Sequence, residues 1–323
     1  MREVTPHTVG GERMARALED IGRRAYGHWH GMQYGGFSMD LLEAMRDDLL
    51  DHAAARLAED PPGDPAPDDD GRTATVLRTA AECSLGLLSI GCFPDGDQEI
   101  LLPLVGERLS SEDKTFADVV DEAPTARTWL DAFALCVVSG LVWDWRRVIG
   151  GLLREDYAPA IRDGVPYSPF ASASRPSDLA EMDALCAYLT PSAGHLPRDW
   201  PTVTLCKPDP AERAAAAAGL EAAGPLTPDQ RLLRVLLDDD RAAFEQALAA
   251  RLVEHRDGVG ADPAPRTLLP LGTLAVAALA VQAHGWEPAL RSGYLPRLLL
   301  GSPDAPARAA AAGGNDLGGW AAR

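Results

Sequence analysis

The sequence predicts an all-α protein, a multi-helix domain of layered antiparallel helix hairpins. Three observations predict it. Gly and Pro divide the chain into segments of helical length, apolar residues inside those segments recur every three or four positions, and no stretch carries a convincing period-2 strand pattern.

The elements follow in order. Residues 39–58 read as a helix that Ser38 or Asp40 can cap, with Glu43 three residues after Asp40 as a capping-box partner. Leu42, Met45, Leu49, Ala53 and Leu57 then form one apolar stripe. Residues 59–71, EDPPGDPAPDDDG, hold four Pro and six acids and cannot bury anything, so they read as a surface loop inserted between helices. Residues 73–90 read as a helix with Leu77, Ala81, Leu85 and Leu88 on one side. Residues 95–122 read as two short helices carrying nine acids against two bases.

Two helical hairpins come next. Residues 127–140 are apolar nearly all round and so belong in the interior, residues 141–144 turn the chain, and 145–153 return. Residues 229–237, the turn Asp238–Asp240, and 241–255 repeat the pattern, with Phe244, Ala247, Leu248 and Leu252 inward. Asp144 and Asp240 stand at matching positions, each before a return helix whose free N–H groups and positive end suit a carboxylate. Residues 156–177 read as a long crossing loop, 182–189 as a helix end, and 192–210 as irregular. The apolar run 268–283 reads as a buried core helix, too short for a membrane span. Residues 1–300 are therefore assigned to one all-α domain and 301–323 to a flexible Ala- and Gly-rich tail.

Composition narrows the function. The 323 residues carry 48 acids against 30 bases, a formal net charge of −18. Nucleic-acid binding needs clustered Lys and Arg, and an anionic membrane surface needs the same, so the balance argues against both and is compatible with a basic partner. Residues 59–122 hold 16 acids and four bases, which is −12 of that charge in one fifth of the chain. Asp68, Asp69, Asp70, Asp95, Asp97 and Glu99 are the candidate partner-binding residues. Five Cys, an odd number with no C-x-x-C pair, argue against a disulfide framework and for a reducing compartment. No apolar secretory region occurs near residue 1, so the expected location is the cytoplasm.

No phosphate-binding, dinucleotide, zinc-protease or nucleophile-elbow motif is present, and no cofactor or metal is expected. One stretch bears chemistry: Tyr26-Gly-His28-Trp-His30-Gly-Met-Gln-Tyr34-Gly-Gly-Phe37. On an extended segment His28 and His30 point the same way and can act as ligands or bases, with Tyr34 beside them and Asp48 and His52 one helix later. The plainer reading is a loop whose rings plug helix ends. Trp129, Trp143 and Trp145 are either packing or the wall of a ligand groove. These residues support an alternative function: a small-molecule enzyme or ligand-binding protein, of a cyclase or proton-transfer type, as in a biosynthetic operon.

The second half resembles a known family. RLLRVLLDDDRAAFEQALAARLVEHRD (231–257), RTLLPLGTLAVAALAVQAHGW (266–286), SGYLPRLLL (292–300) and RTWLDAFALCVVSGL (127–141) are similar to segments of the immunity protein 49 family of bacterial polymorphic toxin systems, actinobacterial type. Two departures stand out: Thr273 follows Gly272 where the family has Pro, and Gly293 precedes Tyr294 where Asp is usual. The resemblance implies a cytoplasmic, non-enzymatic, all-α protein that binds a cognate toxin and neutralises it by occlusion. Many such toxins are basic nucleases, whose active sites an acidic surface can block. The family carries no catalytic motif to transfer.

Overall fold

The computed structural model describes residues 3–59, 70–144, 147–165, 170–192, 202–305 and 307. The fold is mostly helical, as expected. A short strand β1 (Glu3–Val4) leads into α1 (Gly11–Ala17) and α2 (Ile21–His30), which runs directly into a π-helical turn, Gly31–Gly35. α3 (Met39–Glu59) and α4 (Asp70–Cys92) follow as two long helices, then a hairpin of β2 (Glu99–Leu102) and β3 (Glu107–Ser110). α5 (Ala126–Val138) begins the interior.

The packing order explains the hydrophobic patterns. α3 lies on α4, α4 on α5, and α5 on α12 (Leu271–Gln282). α12 is buried at every position from Thr273 to Gln282, which is what a helix apolar on all sides requires. The 18-residue apolar window Pro265–Gln282 that contains it is 78% buried inside the protein, as a core helix. Cys83 and Cys136 sit in this core as small hydrophobes, and burial pushes the Cys83 thiol up to about 12.

The remaining helices are α6 (Ile149–Gly151), α7 (Ala158–Asp163), α8 (Pro176–Cys186), α9 (Pro210–Ala222), α10 (Pro228–Leu237), α11 (Arg241–Gly258) and α13 (Arg297–Leu300). The chain signals several of these starts strongly. α9 and α10 open with capping boxes, Asp209 with Glu212 and Thr227 with Gln230, each followed by Pro at the first helical position. Asp240 caps α11 by accepting from the N–H groups of Ala242 and Ala243 at 2.9 and 3.0 Å. The Asp144 carboxylate instead faces the guanidinium of Arg78 at 3.2 Å.

Four expectations are corrected. Residues 95–122 are not two helices. β2 and β3 pair antiparallel, Ile100 with Leu109 and Leu102 with Glu107, because Ile100, Leu102 and Leu109 need one buried face on α4. That close approach requires Gly86, since a Cβ there would lie 2.5 Å from Ile100 Cδ1. The expected return helix after Trp143 is broken. Val148 is left-handed (φ +46°), and among the described residues the short α6 and a π-helical turn, Leu152–Tyr157, lead into α7. Residues 156–177 include α7 and the start of α8 rather than one loop. Strands also occur in the 189–205 region, where β4 (Leu189–Ser192) pairs with β5 (Thr202–Leu205).

The amino-terminal segment is stitched to the carboxy-terminal end. β1 pairs in parallel with β6 (Arg291–Ser292). His7 Nδ1 lies 2.7 Å from the Tyr294 hydroxyl, and His7 Nε2 lies 2.9 Å from Thr267 Oγ1. The two unusual residues of the second half follow from these contacts. A Cβ on Gly293 would meet Pro6 Cγ at 2.7 Å, so the passing segment requires glycine there. Thr273 donates its hydroxyl proton to Asp229 Oδ1 at 2.6 Å. Part of the expected inserted loop, residues 60–69, and residues 306 and 308–323 of the expected tail lie outside the described residues.

Candidate functional site: an acidic hairpin beside an aromatic helix

Of the segment 26–37, residues 26–35 are helical, not extended. Ile21, Ala25, Trp29 and Met32 recur at four, four and three residues and are all buried, so burial of this stripe outweighs the cost of glycine in a helix. His28 and His30, two apart on a helix, face different directions. His28 turns to α3, where its Nε2 stands 3.7 Å from Asp48, which also takes Arg24 at 3.2 Å. His52 is buried and bonds to the carbonyl of Ala17 at 2.8 Å through Nδ1. The imidazoles therefore do not converge with Tyr34 on one reacting point.

The outer face of α2 carries a row of rings. Tyr26, His30 and Tyr34 are spaced by four, and all three are exposed. His30 lies 6.1 Å from Tyr26 and 4.8 Å from Tyr34, centroid to centroid. Trp29 lies beneath them, 5.2 Å from Tyr26 and 6.1 Å from Tyr34.

The hairpin is fixed against this row at three points. Trp29 Nε1 donates to the carbonyl of Arg108 in β3 at 3.2 Å, and Lys114 Nζ donates to the carbonyl of Gln33 at 2.7 Å. The Phe37 ring meets Phe116 edge-on at 4.8 Å. The two stretches singled out in the sequence, one aromatic and one acidic, thus form neighbouring parts of one surface.

That surface is strongly negative. All nine acids between residues 95 and 122 are exposed, including Asp95, Asp97 and Glu99. The only two cations in the stretch are already engaged. Arg108 lies between Glu99 and Glu112, and Lys114 holds Gln33. Among the described residues no basic side chain pairs with Asp95, Asp97, Glu107, Asp113, Asp118, Asp121 or Glu122 within 4 Å. Asp70 begins α4, and its side chain, like Asp68 and Asp69, lies outside the described residues.

The expected tryptophan groove separates into its parts. Trp129 is fully buried, stacked on Phe133 at 5.1 Å, and its Nε1 donates to the carbonyl of Leu153 at 2.9 Å, so it is core and lines nothing. Trp145 lies outside the described residues. Trp143 does line a cavity of about 330 Å³, with Leu77, Val137, Leu299 and Ala305. Its Nε1 donates to Gln282 Oε1 at 2.6 Å, and Gln282 Nε2 donates to the carbonyl of Leu300. None of His28, His30 and Tyr34 reaches this cavity wall.

A second polar junction was not visible in the sequence. His284, whose side chain is fully buried, bonds to Tyr188 Oη at 2.9 Å and to Asp239 Oδ1 at 3.0 Å. Asp239 also takes Lys207 at 2.6 Å and Arg213 at 3.2 Å. Burial holds the His284 imidazole down at about 4, so it is neutral. Tyr188 is fully buried as well, which makes the junction a brace between α8, α9, α12 and the α10–α11 turn. Among the described residues no group of three His, Cys, Asp or Glu can hold a metal ion.

The profile of the family described as immunity protein 49 matches residues 69–299 of the chain. No curated protein and no solved structure matches it. The match takes in the acidic hairpin, the core helices and the polar junction, and it begins after the aromatic row.

Proposed function

This chain belongs to the immunity protein 49 family, and from that premise we propose that it binds a basic protein toxin, of the nuclease class, in the cytoplasm and neutralises it by covering the toxin's active site. Family membership implies the immunity role and a toxin partner. The observation that carries the finer reading is the exposed stretch 95–122 around the hairpin, with nine carboxylates and two cations that are both already engaged.

A face of one sign steers an oppositely charged partner and raises its rate of encounter. Stable occlusion takes an interface of roughly 1,600 Å² in total. Protection in the cell takes nanomolar affinity, about −12 kcal/mol. Rim carboxylates act mainly on the association rate, and the buried centre of the interface sets the dissociation rate.

The test is co-expression with the toxin encoded beside this gene, followed by stopped-flow binding of the two purified proteins. The chain is expected to rescue growth, and association is expected to slow steeply as salt is added. Equal rates at low and high ionic strength would overturn the acidic-face mechanism, and failure to rescue would overturn the immunity reading.

The cavity at Trp143 favours a second reading, a binding site for a small apolar ligand at the low end of ligand-pocket size. A ligand retained by the purified protein and lost on Trp143→Ala would select it.

A further inference from the structure

We infer that the row Tyr26, His30 and Tyr34 is the docking surface for an arginine-bearing segment of the basic partner. This deepens the immunity reading and rests on it for the identity of that partner.

Three observations converge. The first is exposure. Tyr26 is 50% exposed and Tyr34 is 71% exposed, and they are two of the four large apolar side chains so exposed among the described residues. Tyrosine at this exposure costs solvation without helping the core, and tyrosine is enriched where partners bind most strongly. The buried Trp29 gives the row a rigid floor.

The second is the glycines. Gly27, Gly31, Gly35 and Gly36 alternate with the rings, and a Cβ at any of them would meet nothing within 4 Å. Gly36 is left-handed (φ +117°), but Gly27 lies inside α2, and Gly31 has ordinary helical angles (φ −59°, ψ −48°). The fold itself therefore has no steric need for glycine at 27 and 31. Their absence of side chains leaves an open strip of helix backbone beside the rings, where an incoming chain can approach closely.

The third is charge. The row adjoins the acidic stretch through Trp29–Arg108 and Lys114–Gln33, and Arg108 in turn holds Glu99 and Glu112. Arg24 beneath the row is neutralised by Asp48, and Arg23 stands one turn before Tyr26 at its edge. A cation over an aromatic face is attracted by the ring, and a planar guanidinium also stacks on it. Neighbouring carboxylates attract either cation, whereas the rings distinguish arginine from lysine. The surface precedes the family-matched residues 69–299, so it can select a partner without altering the family scaffold.

The experiment uses the full chain and two probes, a decapeptide of alternating arginine and glycine and its lysine counterpart, titrated by calorimetry. The arginine peptide is expected to bind about tenfold more tightly, from several-fold per ring. Tyr26→Ala with Tyr34→Ala is expected to erase that preference, and Tyr26→Phe with Tyr34→Phe to keep it. Both pairs are surface changes, and circular dichroism checks the fold. Equal binding of the two peptides, or a preference that survives the double alanine variant, overturns the inference. Growth rescue by the co-expressed chain is read separately. Rescue without arginine preference rejects the docking surface and leaves the immunity reading standing. Arginine preference lost in the alanine variant, without rescue, supports the surface and rejects the immunity reading.

Discussion

The indole nitrogen of Trp29 donates a hydrogen bond to the main-chain carbonyl of Arg108 at 3.2 Å. The bond joins a helix that precedes the family-matched region to the hairpin inside the acidic stretch 95–122, whose nine carboxylates are all exposed. It makes the orientation of the carboxylates depend on how the aromatic helix is seated.

Trp29→Phe tests this dependence. The ring stays in its pocket, but the carbonyl of Arg108 loses its partner. The loss is expected to be about 1 kcal/mol in urea unfolding, the usual worth of one neutral hydrogen bond. The local effect is larger: amides of Ile100 and Leu109, paired across the hairpin, should exchange faster with solvent. Unchanged protection at those two amides would mean that the hairpin is held by α4 alone.

Gly31→Ala should separate stability from binding. Gly31 has helical angles and open space around it, so alanine fits without strain. Alanine is favoured over glycine in a helix by about 1 kcal/mol, and a gain of up to that size is expected in thermal unfolding. The added methyl covers part of the open backbone strip beside the rings, so affinity for the arginine peptide should fall. A variant that is both more stable and equally tight would show that the strip is not used.

Legibility in the sequence followed the number of turns available. α3, α4, α5, α10, α11 and α12 repeat their apolar pattern over several turns, and their positions could be read directly. The four-residue strands β2 and β3 offer too few alternations to distinguish a strand from a helix turn. In segment 26–37 the glycines signalled a loop, yet the stripe Ile21, Ala25, Trp29 and Met32 was present and decided the outcome. The proximity of that segment to the hairpin depends on residues about 80 positions apart, such as Trp29 and Arg108. The junction of Tyr188, Asp239 and His284 was illegible for the same reason, since no local spacing announces it.

Glu181 should make stability fall with pH. It is 6% exposed, and burial pushes its carboxyl up to about 7, although Gln230 Nε2 donates to it at 3.0 Å and also to Asp178 at 3.1 Å. The folded protein therefore holds a proton that the unfolded chain releases at its usual value of 4.5. Stability from this group is full below that value and is lost as pH rises toward 7, by up to about 3 kcal/mol. Glu181→Gln keeps an acceptor for Gln230 and removes the titration. Urea unfolding between pH 4.5 and 8 should be flatter for the variant, and identical slopes would place the titration elsewhere.

Asp239 is the last test, and it bears on the scaffold alone. Its backbone is left-handed (φ +61°), a conformation that Asp and Asn tolerate better than most residues. Burial alone would raise its carboxyl, but Lys207, His284 and Arg213 outweigh burial and hold it below the usual range. Asp239→Ala strands two cations and a buried imidazole together, at a cost of about 3 kcal/mol. Asp239→Asn keeps the backbone and one acceptor for His284 but not the charge, so it should fall between alanine and wild type. The two variants thus divide the loss between geometry and charge. Asp239 also favours the charged imidazole, and without it the burial that holds His284 near 4 should hold it lower still, which NMR titration of His284 reads directly. A His284 titration shifted toward 6.5 in the alanine variant would mean that the junction had opened to water, and that Asp239 closes the brace as well as charging it.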